Sequence, residues 1–270
     1  MNQIWLNAVR ASAGAALDPD AAILIAAMTI APDAARRQLI SDHIVALKAA
    51  GIWSQLDTYY MMAAHHEQAS RLNWKNPDSF TLTASGTITF TIDRGWQGDG
   101  STGYLDTGWI PATHGVNYTL NDASFGVYSR TNTNAGIDMG ANESPTVRLS
   151  QIAIRISGFQ GGMANGPLTG GLLVLVADSL GMGAMRRAAS NSQRALRNGV
   201  DIGGNATASV ALGQIAFYIG ARNTLAGTPE QFVTRQLASA FTAAAMSEAQ
   251  HAALYDAMQN GYLAAVGAAV

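Results

Sequence analysis

Asp93-Arg94-Gly95-Trp96-Gln97-Gly98-Asp99-Gly100-Ser101-Thr102-Gly103-Tyr104-Leu105-Asp106-Thr107-Gly108 is the stretch on which the reading of this chain turns. Clusters of Gly, Asp and Ser separate short runs that carry Trp, Tyr and Thr, which is the punctuation of β structure. Residues 98–108 read as a hairpin. Downstream the same rhythm continues, with candidate strands at 80–82, 88–91, 103–106, 123–129, 152–157, 171–178, 184–188, 193–197, 207–212 and 215–219. Ten or so strands at spacings near ten residues predict a sandwich of two sheets. Asn198-Gly199 is the strongest short hairpin signal in the chain. The Gly-rich stretch 158–171 lacks the Lys-Ser/Thr of a phosphate loop and reads as a long loop.

Upstream of Trp74 the signals are helical. Asp18 caps a helix that starts with Pro19, and Pro32 and Asp33 open a second one. In that second helix Ile40, Ile44 and Leu47 share one face, and Gly51 is placed to end it in the left-handed conformation. A third helix is expected over residues 54–71. At the other end, Ser247 with Gln250 forms a capping box, so a C-terminal helix is expected over 247–266. Thr228-Pro229-Glu230-Gln231 resembles a helix start, yet residues 231–242 read equally as a strand after a turn, and the strand is preferred. The expected organisation is a docking segment at 1–18, a helical attachment region at 19–72 and a β-sandwich with its C-terminal helix at 73–270.

The 270 residues are 48% hydrophobic and 13% charged, with a formal net charge of −2. This composition builds a core and is unlike that of a disordered chain. The charge balance supplies no footprint for nucleic acid, which is not an expected partner. With no cysteine, the chain has no disulfide framework, thiolate metal site or cysteine nucleophile. The longest apolar run, residues 21–30, is far short of a membrane span, so membrane insertion is not expected.

The hairpin stretch resembles the opening strand pair of concanavalin A-like, laminin-G-type jelly rolls. It is more specifically similar to a family of phage and prophage virion structural proteins. Further matching stretches follow in order: residues 46–60, Ser124-Phe125-Gly126-Val127-Tyr128-Ser129-Arg130, Phe217-Tyr218-Ile219-Gly220-Ala221-Arg222-Asn223, and the helix after Ser247. Together they cover residues 35–268. The resemblance implies a mainly β protein with a helical N-terminal region, a two-sheet jelly-roll sandwich and a C-terminal helix. It implies a bacteriophage virion component of the tail fibre, tail tip, baseplate or head decoration, made in the host cytoplasm without a signal peptide. Its partners would be other virion proteins and copies of itself.

Within that setting the chain is expected to be non-enzymatic. Glycanases on this fold need paired carboxylates flanking the scissile bond. The four glutamates, Glu67, Glu143, Glu230 and Glu248, do not stand two or four residues from another acid on a candidate strand. The alternative function is a receptor-binding lectin that recognises host surface polysaccharide. The residues offered for glycan contact are Trp96, Asp99, Asp106, Trp109 and Tyr118, with core packing as the competing role for the aromatics. No cofactor is expected other than Ca²⁺, for which the loop oxygens of Asp99, Asn132, Asn134 and Asp138 are the candidate ligands; such residues also serve as ordinary turn formers. Ile4, Trp5, Leu6 and Val9 are apolar without an evident core of their own. They are expected to dock onto another virion protein or a neighbouring copy, the alternative being a short helix packed on the same subunit.

Overall fold

The computed structural model describes residues 16–144, 147–225 and 227–270. The docking candidates Ile4, Trp5, Leu6 and Val9 lie outside the described residues. The chain starts with helices α1 (Pro19–Ala26) and α2 (Ala34–Ala49), strand β1 (Leu56–Met61) and a short helix α3 (Glu67–Arg71). Strands β2 (Thr83–Ser85), β3 (Ile88–Thr91), β4 (Gly95–Gly98) and β5 (Tyr104–Asp106) follow, then a single turn α4 (Pro111–His114). The central strands are β6 (Ala123–Ser129), β7 (Met139–Ser144), β8 (Arg148–Ile156), β9 (Phe159–Gly166) and β10 (Leu172–Leu175). After them come β11 (Gly181–Ala189), β12 (Ser192–Arg197), β13 (Val200–Asn205), β14 (Tyr218–Ile219), β15 (Asn223–Thr224) and β16 (Gln236–Ala243). Helix α5 (Glu248–Asp256) runs into a π-helical segment (Ala257–Leu263).

The strands form two eight-stranded sheets, as the expected sandwich requires. One has the order β13-β12-β11-β6-β16-β4-β3, with β1 also paired to β16; the other has the order β10-β9-β8-β7-β14-β5-β2, with β15 also paired to β7. Alternate residues of the first sheet serve two different cores. Tyr60, Phe125, Val127, Met185 and Ala240 point between the sheets. Tyr59, Met61, Tyr128, Ala184 and Phe241 point the other way, into a cluster with Leu24, Ile40, Ile44, Leu254 and Met258 from the helices. The molecule is therefore three layers deep: helices, first sheet, second sheet.

That layering corrects the expected third helix. Residues 56–61 form β1, antiparallel to β16 in the register Tyr59↔Phe241 and Tyr60↔Ala240. Because β1 is buried on both faces it has no apolar/polar alternation, and its run of apolar residues imitates a helix. The Thr58-Tyr59-Tyr60 core has the β preference that decides the outcome. A division at residue 72 would cut through the first sheet and through the core that α1 and α2 share with α5. The preferred strand near residues 231–242 is present as β16, with all eight residues buried.

Helix ends follow local chemistry closely. The Asp18 carboxylate accepts from the Asp20 amide, Asp33 accepts from Arg36, and the Ser247–Gln250 capping box is closed in both directions. The Asn198-Gly199 hairpin joins β12 to β13 with φ of 51° and 81°, the paired positive values of a type I′ turn. The Gly-rich stretch 158–171 is mostly strand β9, not a loop. A Cβ at Gly162 would lie 2.5 Å from the Met185 Sδ of the facing sheet, so glycine here lets the two sheets approach. Among the described residues no helix is long and apolar enough to cross a membrane.

Candidate functional site: the outer face of the second sheet

Cross-strand register identifies which side chains leave the sandwich. Leu105, Ile219, Met139 and Ile152 are paired in sequence across β5, β14, β7 and β8 and belong to the interior core. The neighbouring row, Thr83–Asp106–Tyr218–Gly140–Gln151–Met163, is likewise in direct register, so its side chains stand on the opposite face. No helix of the described residues joins the interior cluster of this sheet. On its outer face Gly140, Gln151, Met163 and Tyr218 are buried, and the row reaches solvent at its β2–β5 end, where Thr83 is exposed and Tyr104 and Asp106 are half-buried.

Chemistry is concentrated along this row. Tyr104, two residues before Asp106 on β5, stacks on Tyr218 with ring centroids 4.4 Å apart and planes at 28°, and Phe232 lies 6.4 Å from Tyr104. Tyr218 is 7% exposed beneath its partner. Burial, followed by the Asp106 carboxylate and Tyr104, pushes its phenol up to about 12, so it stays an O–H donor at neutral pH. Asp106 accepts one hydrogen bond, from the Gly108 amide at 2.8 Å. Arg222 donates to Glu230 and, at 2.8 Å, to Gln151 Oε1, which turns the Gln151 amide nitrogen into the available donor. Gly140 interrupts the row with φ +142°; a Cβ there would meet Ser150 O at 2.2 Å, so the position stays bare backbone. Beside it, a hollow of about 250 Å³ is lined by Ile137, Gln151, Ala153, Ile156, Met163 and Leu173 among others.

Of the five residues offered for glycan contact, the structure places one, Asp106, on this face. Trp96, Trp109 and Tyr118 are 3%, 1% and 0% exposed and belong to the interior core, which corrects their assignment as a sugar platform. Trp96 donates to Ser70 Oγ at 2.8 Å, and Tyr118 packs edge-on to Trp109 while donating to Asn165. Asp99 is exposed, but its carboxylate accepts from the amides of Ser101, Thr102 and Gly103 and from two hydroxyls. Those amides, Thr102 first, hold it far below the usual aspartate range, and its role is to fix the turn. Sequence reasoning missed Tyr218, Gln151 and Arg222. Two of them lie in the stretch Phe217–Asn223 that was noted for other reasons.

The candidate Ca²⁺ ligands are also occupied. Asn132 accepts from Arg155 and from the Ser179 amide, Asn134 from the Gly158 amide, and Asp138 from Arg235 and the Ile154 amide. Arg235 is fully buried and also donates to the carbonyls of Thr133 and Ala135, so a guanidinium fills the place proposed for a metal ion. Asp99 sits on a separate turn. Among the described residues there is no group of three or more His, Cys, Asp or Glu able to hold a metal.

No family model matches the chain, and no curated protein matches it by sequence. Solved structures do match in three dimensions. Botulinum neurotoxin type C, whose cell entry depends upon interaction with two ganglioside molecules, superposes with a TM-score of 0.57 at 7% identity, over 78% of this chain and 53% of that one. The receptor-binding domain of the botulinum neurotoxin C/D mosaic serotype gives 0.53 at 7% identity, over 76% and 52%. Trypanosoma rangeli sialidase, in complex with a difluorinated nononic acid, gives 0.51 at 9% identity, over 83% and 40%. What they share is the fold. The chain spans about half the length of the toxin chains and two fifths of the sialidase chain. The sialidase likeness corrects the expectation of a non-enzymatic protein, because this sandwich also occurs within an enzyme chain and the exclusion does not stand.

Proposed function

We propose that the protein is a carbohydrate-recognition module of lectin type, and that it is carried on a phage particle. The observation that supports recognition is the half-buried Tyr104 ring, stacked on the buried Tyr218 in line with Asp106 and Gln151 and beside the Arg222–Glu230 pair. Sugars present apolar C–H faces ringed by hydroxyls. An aromatic surface flanked by a carboxylate, an amide and a guanidinium meets both features. The likeness to receptor-binding toxin domains supports the same reading at the level of fold. The phage setting rests on the ordered sequence resemblance over residues 35–268, and host surface polysaccharide is the ligand that setting calls for.

Two experiments test the reading. A glycan array probed with the full chain is expected to give binding that Tyr104→Ala and Gln151→Ala each weaken by about tenfold, with unchanged circular dichroism. No binding by the wild type, or binding that survives both substitutions, overturns it. Reducing-end release measured on the bound glycans reads whether recognition is accompanied by cleavage. The particle setting is tested by mass spectrometry of purified phage particles, from which absence of the chain would remove the virion assignment.

A further inference from the structure

No charged residue lies between Arg155 and Asp178, the longest such interval in the chain. It spans β9 and β10, and β10, Leu172-Leu173-Val174-Leu175, is an edge of the second sheet. Edge strands are ordinarily guarded by charge, proline or a bulge. β10 carries none of these, and its pairing with β9 is regular throughout. Leu172 and Val174 turn toward the interior core, whereas Leu173 and Leu175 are 64% and 74% exposed on the outer face. Phe159, in register with Leu175, and Leu168 in the turn before β10 extend this exposed apolar surface. Leu173 lies over Gly161, where a Cβ would come within 2.9 Å of its Cδ2.

The backbone of this edge is open at the same positions. The Val176 amide donates to the Gly158 carbonyl, in step with the pairs Val174↔Gln160 and Leu172↔Gly162. Hydrogen-bonded pairs alternate along an antiparallel ladder, so Leu173 and Leu175 aim their N–H and C=O groups away from β9. Exposed side chains and free backbone groups therefore belong to the same two residues. A second β10, antiparallel and related by a two-fold axis at Val174, satisfies both. Leu173 then faces the partner's Leu175, and Leu175 the partner's Leu173, each pair exchanging both backbone hydrogen bonds. In that register the leucines also meet side by side on one face.

We infer that β10 is a dimerisation edge and that its occupant is the β10 of a second copy of this chain. An uncharged edge offers nothing for a charged partner to read, and its own sequence complements it in register. Leu168, Leu173, Leu175 and Phe159 together present roughly 400 Å² of apolar surface per copy. With the strand backbone and the flanking Thr169, Val176 and Ala177, two copies bury about 1,000 Å², the size at which a specific interface begins. Pairing consumes the edge on both copies, so the association closes as a dimer. The inference goes beyond the glycan reading and does not depend on it. The two-fold axis is normal to the sheet, so both copies present their Tyr104–Asp106 ends on the same face.

Sedimentation velocity of the full chain between about 1 and 100 µM is expected to show a monomer–dimer equilibrium. Leu173→Lys, at an exposed position, is expected to weaken dimerisation by about a hundredfold with unchanged circular dichroism, because the substitution enters the interface twice. Cross-linking reads the register, since the chain has no cysteine of its own. Val174→Cys places two thiols at the two-fold axis, in a non-hydrogen-bonded pair with Cα atoms about 4.5 Å apart. Copper–phenanthroline oxidation is expected to give a disulfide-linked dimer of this variant. The two copies of Leu173→Cys lie more than about 7 Å apart in this register and should run as monomers on a denaturing gel. Tyr104→Ala is expected to leave dimerisation unchanged. A chain that is monomeric at every concentration overturns the inference and leaves the edge to a strand of a different protein. So does a dimer indifferent to Leu173→Lys, a Val174→Cys variant that does not cross-link, or equal cross-linking at both positions.

Discussion

His43 and His251 are buried and uncharged. His43 bridges the Tyr59 hydroxyl at 2.6 Å and the Ala257 carbonyl at 3.1 Å, tying α2 to β1 and the C-terminal helix. Burial lowers it from 6.5 to about 4, and lowers His251 to about 3. In the unfolded chain both titrate near 6.5, so below that pH the unfolded state takes up protons that the folded state refuses. Stability is thus fully present above pH 6.5 and declines as the pH falls toward 4 and 3, by about 3 kcal/mol for His43 alone. Thermal unfolding between pH 7.5 and 4 should show this slope, and His43→Gln should flatten it. A wild-type midpoint that does not change with pH would contradict the prediction. The buried Asp138–Arg235 pair makes a complementary case. Burial raises the Asp138 carboxyl, and Arg235 and the Ile154 amide counter it. Asp138→Asn leaves the guanidinium without its counter-charge and is expected to cost about 3–5 kcal/mol in urea unfolding.

Individual elements differ in how much of them the sequence states. Caps are short-range chemistry, so Asp18, Asp33, Gly51 and the Ser247–Gln250 box could be read from neighbours along the chain. The Asn198-Gly199 hairpin is legible for the same reason. Strand β1 is not, because its two buried faces are covered by elements far away in sequence. Nor is β9, whose Gly161 and Gly162 are crowded by Leu173 of β10 and by the facing Met185, residues on other strands. The candidate site was the least legible part. Whether an aromatic such as Trp96 or Tyr104 lies between the sheets or on an outer face depends on strand register, and a one-residue shift exchanges the two faces. Gly140 is a test of that register: with φ +142° and the Ser150 carbonyl in the way, Gly140→Ala is expected to destabilise the fold by about 2 kcal/mol or more and to weaken glycan binding with it. Unchanged urea unfolding would show that the row tolerates a side chain there.

Across the whole molecule, the helices and the sandwich are one cooperative body, because the first sheet is a wall of both cores. A chain starting at residue 73 lacks α1, α2, β1 and α3. It leaves β16 without its β1 neighbour, strips Leu24, Ile40 and Ile44 from the core shared with Leu254 and Met258, and is expected to lack a cooperative thermal transition. A sharp transition in that shortened chain would show instead that the sandwich stands without them.

The layering also has a practical consequence for measurement. The Asp18 amide is held by Ser41 on α2, and the Val270 amide by Tyr128, whose ring belongs to the core beneath the helices. The last residue of the chain is therefore anchored behind the first sheet, with the full thickness of the sandwich between it and Tyr104. A tag appended there and captured on a biosensor chip would point the aromatic row toward the flowing analyte. Surface-immobilised binding assays could then be run without the support masking the very groups under test.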